Sequence, residues 1–354
     1  MKVYGVIMAG GGGTRFWPLS RKETPKQLLN LSGKDIMVNE AINRLAQVTS
    51  CEDIFIVTNI TQKRKMLDLL NGKISDSHIL AEPCARNTAA CIGYAATEIV
   101  KKYGDGIMVI TPSDAYIKNE KKFARVLRTA IHAADTTDKL VTIGITPTFP
   151  ATGYGYIQYT NCSNVAKLVL KFVEKPNLRT AKKYIKSGEF VWNSGMFVWR
   201  ASTILQKFQE FLPEAYEVLQ QIAQSFGKED ESKQIETLYP QIPSISIDYG
   251  IMEKCNDILV VPGEFGWNDI GSWDMFDVLH GADEKGNIGF GDVISVDTKN
   301  TTVYSSGKLV TTVGVDNLII VETPDAILVC RKDKAQDVKK IVDELQNEGR
   351  EEFL

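Results

Sequence analysis

The regular alternation of short apolar runs with helical periods, from residue 1 to about residue 145, is the feature that most limits how this 354-residue chain can fold. Runs rich in β-branched residues stand at Val3–Ala9, Ile54–Val57, Ile107–Thr111 and Leu140–Ile145. Between them, apolar residues recur at every third or fourth position, as they do along one face of a helix. Strands that alternate with helices predict an α/β fold with a mostly parallel, doubly wound sheet, in which ligands bind beyond the carboxyl ends of the strands.

The pattern changes twice further along the chain. Residues 150–200 favour three strands and one short helix, which we interpret as an insertion over the ligand edge of the sheet, and residues 201–255 are mainly helical in pattern. From about residue 285, short strands separated by turn residues predict a small all-β unit, either a β-roll or a few turns of β-helix. An amphipathic helix is expected at Lys334–Leu345. The strands expected after residue 150 are Tyr156–Tyr159, Lys167–Glu174, Trp192–Trp199, Val293–Val296, Thr301–Tyr304, Leu309–Val313, Leu318–Val321 and Ala326–Val329, with the short helix near Leu178–Ser187.

Composition excludes several classes of protein. The net charge of −3 provides no basic surface for nucleic acid, and no apolar run is long enough to cross a membrane. The six cysteines form no CxxC pair and only three histidines are present, which disfavours a zinc site. With no signal-peptide pattern at the N-terminus, we expect a cytoplasmic protein that does not bind a membrane.

Four consecutive glycines, Gly10 to Gly13, follow the first predicted strand, and the cations Arg15 and Lys26 come soon after. Successive glycines let a phosphate approach backbone N–H groups without meeting Cβ atoms. The loop is not a P-loop, because GxxxxGK[ST] is absent, and Arg15 stands where the dinucleotide fingerprint needs its third glycine. The pattern favours phosphate binding, with a sharp turn between strand and helix as the alternative.

Three carboxylates stand at places where a sheet edge would hold a ligand. Asp114 in TPSDAYI could ligate Mg²⁺, or could cap a helix or turn. Glu82 in EPCARNTAA could accept hydrogen bonds from the N1–H and N2 amine of guanine, which adenine cannot offer, or could be a solvated loop residue. Asp269 in GWNDIGSW could be a second metal ligand opposite Asp114, or a helix N-cap.

Two further motifs could contact a sugar phosphate. In FVEKP, Glu174 could hold sugar hydroxyls and Lys175 a phosphate, although a surface Glu-Lys pair is common. In WNSGMF, Asn193 beside a glycine could donate to and accept from a sugar. The sequence shows no Ser-His-Asp or Cys-His set. A nucleophile that is already anionic needs alignment and charge neutralisation rather than a general base, and the residues above suit that chemistry.

These motifs together resemble those of the sugar-1-phosphate nucleotidylyltransferase family. GGGGTRFWPLS followed by PKQ is similar to the family signature, and FVEKP is similar to its sugar-phosphate motif. EPCARNTAA, TPSDAYI, TGYGYIQY, WNSGMFVW, SIDYGIMEK and GWNDIGSW resemble the members that use GTP and mannose 1-phosphate. The resemblance implies a Rossmann-like core with a mixed, mostly parallel sheet in a catalytic domain at residues 1–280. It also implies a left-handed β-helical unit with a terminal helix at residues 281–354.

The resemblance also implies an activity. GMP would pass from GTP to α-D-mannose 1-phosphate, with Mg²⁺ as cofactor, giving GDP-mannose and pyrophosphate, and the enzyme would be a homodimer. Arg15, Lys26 and Lys175 would have catalytic roles as cations on the phosphates, and Asp114 and Asp269 would hold Mg²⁺. The residues implied to bind nucleotide are Gly10, Gly11, Gly12, Gly13, Thr14, Glu82, Asn87, Thr88 and Ser113. Those implied to bind the sugar phosphate are Gly153, Tyr154, Glu174, Lys175 and Asn193.

Three alternatives remain open on the sequence. The same chemistry could act on another pair, such as heptose or glucose 1-phosphate, or dTTP. A non-catalytic subunit that senses nucleotide sugars is a second, although intact Arg15, Lys26, Asp114 and Asp269 argue against it. An NAD-dependent dehydrogenase is a third, disfavoured by the missing third glycine.

Overall fold

The computed structural model describes residues 1–160, 164–173 and 175–354. The chain divides into two compact units. The first contains Met1–Gly10, Ala41–Ser113 and Ile117–Trp267, and the second contains Gly11–Glu40, Asp114–Tyr116 and Asn268–Leu354. The glycine loop and Asp114 are therefore grouped with the C-terminal part of the chain rather than with the sheet that precedes them.

The helices and strands have the following bounds in chain order. The strands are β1 Val3–Ala9, β2 Ile54–Asn59, β3 Ile79–Glu82, β4 Ile107–Pro112, β5 Tyr116–Ile117, β6 Leu140–Ile145, β7 Tyr156–Tyr159, β8 Lys167–Val173, β9 Phe190–Arg200, β10 Ile258–Gly263, β11 Trp267–Asn268, β12 Ile288–Phe290, β13 Val293–Val296, β14 Thr302–Ser305, β15 Val310–Val313, β16 Leu318–Glu322 and β17 Ile327–Arg331. The α-helices are α1 Met37–Leu45, α2 Ile60–Leu70, α3 Asn87–Lys102, α4 Glu120–Thr137, α5 Leu178–Ser187, α6 Ala201–Phe211, α7 Pro213–Ser225, α8 Glu231–Leu238, α9 Asp277–His280 and α10 Lys339–Asn347.

A mixed nine-stranded sheet forms the centre of the first unit, in the order β3-β2-β1-β4-β9-β6-β10-β8-β7. Strands β3, β2, β1 and β4 are parallel neighbours, as are β6 and β10. Apolar residues on both faces of these strands explain their near-continuous burial, since β2 is buried from Ile54 to Thr58. The α/β class with a mostly parallel sheet is confirmed.

The interpretation of residues 150–200 as an insertion over the sheet is wrong for β9. This strand lies between β4 and β6 and runs antiparallel to both. Its apolar residues are buried along most of its length, including Trp199 at 0% exposure, so it belongs in the middle of the sheet rather than above it. Strand β8 follows β10 in the sheet, and β7 pairs antiparallel with both β8 and β9.

The C-terminal strands of the second unit form two short parallel ladders typical of a β-helix. One ladder joins β12, β14 and β16, and the other joins β13 and β15. Asn300 and Asn317, both with positive φ, turn the chain between strands, and the Asn300 Nδ2 donates to Asn317 Oδ1 at 2.7 Å. An antiparallel strand, β17, pairs with β16 and ends the larger ladder. The expected β-helical unit is therefore confirmed.

Most predicted bounds agree with the structure, and the terminal helix is the main exception. Its first part, Lys332–Val338, is a 3₁₀ helix, and the α-helix begins only at Lys339.

The buried core of the second unit is rich in aromatic side chains, namely Phe16, Trp17, Trp273, Phe276 and Tyr304. The ring of Trp273 is tilted against the rings of both Phe16 and Phe276. Among the described residues, no helix combines the length and apolar character needed to cross a bilayer.

Candidate active site

In the second unit, the glycine loop leaves backbone amides without acceptors. The N–H groups of Gly11, Gly12 and Gly13 make no hydrogen bond with any residue of the described ranges. Gly11 has open space where a Cβ would stand, and Gly12 meets only the Thr14 methyl group at 3.9 Å. Unpaired N–H donors on accessible backbone suit an anion such as a phosphate.

Gly13 has a different task from its neighbours. Its φ is +62°, and an added Cβ would lie 2.3 Å from the Cβ of Lys26 and 2.9 Å from the Lys26 backbone nitrogen. Its carbonyl accepts from Ser20 Oγ at 2.8 Å and from the Phe16 amide at 3.0 Å. The loop therefore packs directly on Lys26 through Gly13, while Thr14 and Arg15, in the 3₁₀ turn Thr14–Phe16, remain exposed.

Lys26 lies at the centre of the polar contacts in this unit. Its side chain is only 6% exposed, and its Nζ donates to Asp114 Oδ2 at 2.9 Å and to the Asp269 carbonyl at 2.7 Å. A third, longer contact of 3.2 Å reaches the Asp114 carbonyl. An ammonium has three donors, so all of them point to protein acceptors here. A phosphate contact by Lys26 requires one of these acceptors to be released.

The two carboxylates predicted to hold a metal lie on segments that meet at Lys26. Asp114 follows β4 in a turn, with its side chain 42% exposed, and Asp269 follows β11. The helix-cap alternative for Asp269 is wrong, because Ser272 is the N-cap of the next helical turn. The Asp269 Oδ2 lies 3.3 Å from the position of a Cβ added to Gly271.

Backbone strain marks the loop that carries Asp269. Ile270 is fully buried and has φ of +40°, which a β-branched residue rarely adopts. The Asn268 Oδ1 accepts from the Ile270 amide at 2.7 Å and holds the turn. Strain of this kind persists where the surrounding structure fixes a functional loop. Asn268 was not among the predicted site residues, although it is part of the quoted motif GWNDIGSW.

The carboxylate oxygens near Lys26 suit a hard divalent cation that takes few ligands from the protein. No group of three or more metal-binding side chains occurs within the described ranges. Mg²⁺ needs only one or two carboxylates, because water and substrate phosphates supply its other oxygens. Asp114 and Asp269 match that requirement in number and in chemistry.

In the first unit, Glu82 is a buried carboxylate at the end of β3. It is 6% exposed, and its Oε1 accepts a short hydrogen bond from the Tyr239 hydroxyl. Its Oε2 lies 2.9 Å from where a Cβ of Gly10 would stand, so only glycine fits at residue 10 without movement. Burial raises the pKa of Glu82 to about 7, although the Tyr239 hydrogen bond opposes that shift. The alternative of a solvated loop residue is wrong for Glu82.

The other predicted nucleotide contacts lie around the start of α3 and the end of β4. Asn87 is exposed with φ of +63°, and its Oδ1 accepts from the Thr88 amide at 2.8 Å. The Thr88 hydroxyl accepts from the Ile247 amide at 2.9 Å. Ser113 is buried, and its amide donates to the Met8 carbonyl at 3.0 Å. Asn87 and Thr88 thus stabilise the start of α3, and of the two only Asn87 is exposed.

The predicted sugar contacts in the first unit group around Asn193 and Tyr154. The Asn193 Nδ2 donates to Asp248 Oδ1 at 2.7 Å, and its Oδ1 accepts from the Gly195 amide at 3.1 Å. Tyr154 packs edge-on against Trp192 and Trp267, with ring centroids 5.1 Å and 5.3 Å away. The exposed residues Gly153 and Lys175 complete this set, and Lys175 has φ of +37°. Glu174 lies outside the described residues.

Asp248 and Tyr239 are polar partners that sequence reasoning missed. Asp248 begins a five-residue π-helix, Asp248–Met252, inside the motif SIDYGIMEK. π-Helical turns are rare and are frequently found at functional sites. The motif was a signal for Asp248, whereas nothing in the sequence around Tyr239 indicates that its hydroxyl contacts a residue 157 positions earlier.

Two family models and several known proteins match this chain. The nucleotidyl transferase model covers residues 4–285, and the model of the mannoseP isomerase/GMP-like β-helix domain covers residues 291–345. The xanthan biosynthesis protein XanB of Xanthomonas campestris pv. campestris (strain B100) is 42% identical over 349 residues, which are 98% of this chain and 74% of that protein. The mannose-1-phosphate guanylyltransferase ManC of Salmonella typhimurium (strain LT2) is 40% identical over 361 residues, 99% of this chain and 75% of that protein.

A solved structure resembles this one along almost its whole length. The crystal structure of a mannose-1-phosphate geranyltransferase from Thermus thermophilus superposes with a TM-score of 0.89 at 32% identity. The match covers 98% of this chain and 100% of that one, so both compact units have a counterpart there.

Proposed function

Because the chain belongs to the nucleotidyl transferase family, we propose that it transfers GMP from GTP to α-D-mannose 1-phosphate, giving GDP-mannose and pyrophosphate. The convergence of Lys26, Asp114 and Asp269 under a loop with unpaired amides carries the chemical part of the proposal. The choice of GTP and mannose 1-phosphate rests on the relatives that are named mannose-1-phosphate guanylyltransferase.

The reaction is an in-line displacement at the α-phosphorus of GTP. A phosphate oxygen of mannose 1-phosphate forms a P–O bond to that phosphorus, and the bond to the bridging oxygen of the β-phosphate breaks. Pyrophosphate leaves with that electron pair. Since the nucleophile is already an anion, no general base is needed, and the protein's task is to align the reactants and offset their charge.

The residues of the second unit would hold the triphosphate. The amides of Gly11, Gly12 and Gly13 would donate to phosphate oxygens, and Arg15 would lie against the leaving pyrophosphate. Lys26 would exchange its contact with Asp114 for one with phosphate. Enzymes of this family generally use a divalent metal. When bound, Mg²⁺ would neutralise phosphate charge, and the side chains that would hold it are Asp114 and Asp269.

The residues of the first unit would hold the base and the sugar. Glu82 in its ionised form would accept from the N1–H and N2 amine of guanine, with Asn87, Thr88 and Ser113 at the base or ribose. Asn193, held by Asp248, would contact mannose, together with Gly153, Tyr154 and Glu174. Lys175 would meet the phosphate of mannose 1-phosphate. Each assignment follows the family motif at that position.

A homodimer and a cytoplasmic location complete the proposal. Ile294, Val296 and Val313 form an exposed apolar row on the β13–β15 ladder, with 53%, 49% and 69% exposure. An apolar row of this kind on a β-helix suits a second copy of the chain. All five cysteines of the described residues are free thiols, as is usual in a reducing compartment.

Pyrophosphate release from a panel of substrates tests the proposal. GTP, ATP, dTTP and UTP are each paired with mannose, glucose and heptose 1-phosphates in the presence of Mg²⁺. We expect the GTP and mannose 1-phosphate pair to react fastest. A faster reaction with another pair would retain the chemistry and reject the substrates. If no pair releases pyrophosphate, the proposal fails and the alternative of a non-catalytic sensor stands.

A further inference from the structure

Within the second unit, the segment of residues 14–21 that follows the glycine loop is fixed by the 3₁₀ turn Glu351–Phe353. The carbonyl oxygen of Phe353 accepts two hydrogen bonds from that segment, one from Trp17 Nε1 at 2.8 Å and one from Arg21 Nη1 at 2.6 Å. Phe353 and Leu354 are partly buried against the aromatic core of this unit. The acceptor is therefore itself fixed in place by packing.

The Arg21 guanidinium donates a hydrogen bond from each of its three nitrogens. Besides the contact with Phe353, its Nε donates to the Pro18 carbonyl at 2.7 Å and its Nη2 donates to Asp325 Oδ1 at 2.8 Å. Asp325 lies in the turn between β16 and β17, and the Arg21 side chain is only 17% exposed. A planar guanidinium serves several acceptors in fixed directions, which a lysine ammonium cannot reproduce. Arg21 therefore connects three segments that are distant in the sequence.

Ser20, the chain neighbour of Arg21, extends this restraint to the glycine loop. Its side chain is buried, and its Oγ donates to the Gly13 carbonyl at 2.8 Å. The Ser20 amide donates to the Phe16 carbonyl at 3.0 Å, which closes residues 16–20 into a compact turn. A displacement of Arg21 would therefore move Ser20, and with it the glycine whose carbonyl Ser20 contacts.

The glycine loop needs a restraint of this kind because its own residues provide little. Glycine loses more conformational freedom on ordering than any other residue. Gly11 has open space where a Cβ would stand, and Gly12 meets only the Thr14 methyl group at 3.9 Å. A loop that is already ordered binds its ligand more tightly, because less of the binding free energy is lost in fixing it.

We propose that Arg21 is a positioning residue for nucleotide binding, which holds the amides of Gly11–Gly13 in the arrangement that receives the triphosphate. It acts through Ser20 and not by contact with GTP. The inference rests on the proposed function, because it assigns Arg21 a task in the binding of the same nucleotide. It adds a residue that none of the predicted sites contains and that lies outside the glycine loop itself.

Calorimetric titration of the full chain with GTP and Mg²⁺, without mannose 1-phosphate, tests the inference. Arg21→Lys keeps the positive charge but not the three directed contacts, so the dissociation constant of GTP should rise by about tenfold. The matched control is Arg331→Lys, which alters an ion pair with Asp333 on β17 where the arginine is 71% exposed, and it should bind GTP as the wild type does. In steady-state kinetics, Arg21→Lys should raise KM for GTP and leave KM for mannose 1-phosphate unchanged. A purely structural role would lower the melting temperature without this selective change.

A second variant keeps the test decisive if Arg21→Lys does not fold. Ser20→Ala removes the hydroxyl, while the Gly13 carbonyl still accepts from the Phe16 amide at 3.0 Å, and it should also weaken GTP binding. The double variant should bind little more weakly than the weaker single variant, because both changes interrupt the same connection. If the wild type binds GTP and both single variants bind it equally well, the role of Arg21 is refuted and the proposed function stands. If the wild type itself does not bind GTP, the proposed function fails and this inference fails with it.

Discussion

The ammonium of Lys26 and the carboxylate of Asp114 form an ion pair in which Nζ lies 2.9 Å from Oδ2, and only the carboxylate reaches solvent. The same ammonium contacts the Asp269 carbonyl, so one buried side chain joins both carboxylate-bearing segments of the second unit. An incoming phosphate or metal ion would compete for this pair. Lys26 therefore both fixes the positions of the two carboxylates and supplies a positive charge that can be redirected.

Replacing Asp114 with asparagine should separate activity from stability. The amide oxygen can still accept from Lys26, but the buried ammonium loses its counter-charge, so the free energy of unfolding should fall by about 1–3 kcal/mol while the chain stays folded. Loss of a charged ligand should lower kcat by about 10²–10³-fold, by analogy with single deletions of preorganised charge. Turnover is measured during a Mg²⁺ titration, and stability by urea unfolding, with the exposed Asp343→Asn as control. Wild-type kcat for Asp114→Asn at limiting Mg²⁺ would refute the metal assignment.

Two alanine substitutions in the glycine loop should affect different properties, one the stability of the protein and the other its KM for GTP. Gly13→Ala places a Cβ 2.3 Å from Lys26 at positive φ, so the chain must shift and the melting temperature should fall. Gly12→Ala meets no atom closer than 3.9 Å, so stability should be close to wild type while KM for GTP rises, because the methyl group stands where a phosphate would approach. Thermal melts and KM measurements on the two variants give the comparison. An unchanged KM for GTP in Gly12→Ala would argue against a phosphate at these amides.

The buried carboxylate of Glu82 predicts a pH dependence of GTP binding. Its pKa is raised to about 7, and guanine requires the ionised form, so KM for GTP should rise as the pH falls below about 7. Tyr239→Phe removes the hydrogen bond that lowers this pKa, so the midpoint of the profile should move to higher pH. KM measured at a series of pH values for both proteins tests this. Identical midpoints would mean that another group controls the profile.

The raised pKa of Glu82 also makes the free energy of unfolding depend on pH. Folded Glu82 keeps its proton up to a pH of about 7, whereas the unfolded chain loses it near the ordinary value of 4.5. The folded state therefore binds more protons between these values, and the contribution of Glu82 to the free energy of unfolding falls as the pH rises through that window. Replacing Glu82 with glutamine should remove this contribution, which urea unfolding at several pH values can measure.

The contact between Asn193 and Asp248 predicts a selective effect on the sugar substrate. Asp248→Ala removes the acceptor that orients the Asn193 amide, so KM for mannose 1-phosphate should rise by about tenfold, the effect of losing one hydrogen bond of about 1.4 kcal/mol. KM for GTP should stay the same. Asp248→Asn retains an acceptor oxygen and should recover most of the loss. Steady-state kinetics with each substrate varied in turn would show an equal rise in both KM values if Asp248 only maintained the fold.

The sequence predicted the elements better than their arrangement. The runs of β-branched residues and the helical spacing located β7, β13 and α5 to the residue, because these patterns lie within the segments themselves. It did not place β9 between β4 and β6, since strand order depends on pairing between distant segments. The terminal segment was predicted as one helix because the apolar pattern does not distinguish a 3₁₀ turn from an α-helix.

In the candidate site, too, the sequence indicated individual residues better than the contacts between distant ones. The roles of the glycine loop, Asp114 and Asp269 stay predictions, but the positions of the loop and of Asp114 after strands could be predicted from the apolar runs that precede them. That Lys26 is buried beneath the loop and joins both aspartates could not, because its partners lie 88 and 243 positions away. The Tyr239 hydroxyl on Glu82 was equally hidden, and it is the contact that opposes the rise in the pKa of Glu82.

The most direct test follows the phosphorus atoms of GTP. The chain is incubated with mannose 1-phosphate, Mg²⁺ and GTP labelled with ³²P at either the α or the γ position, and the products are separated. The account predicts that the α label appears in GDP-mannose and the γ label in pyrophosphate, in equal amounts. Release of the γ label as inorganic phosphate, or no α label in a nucleotide sugar, would contradict it.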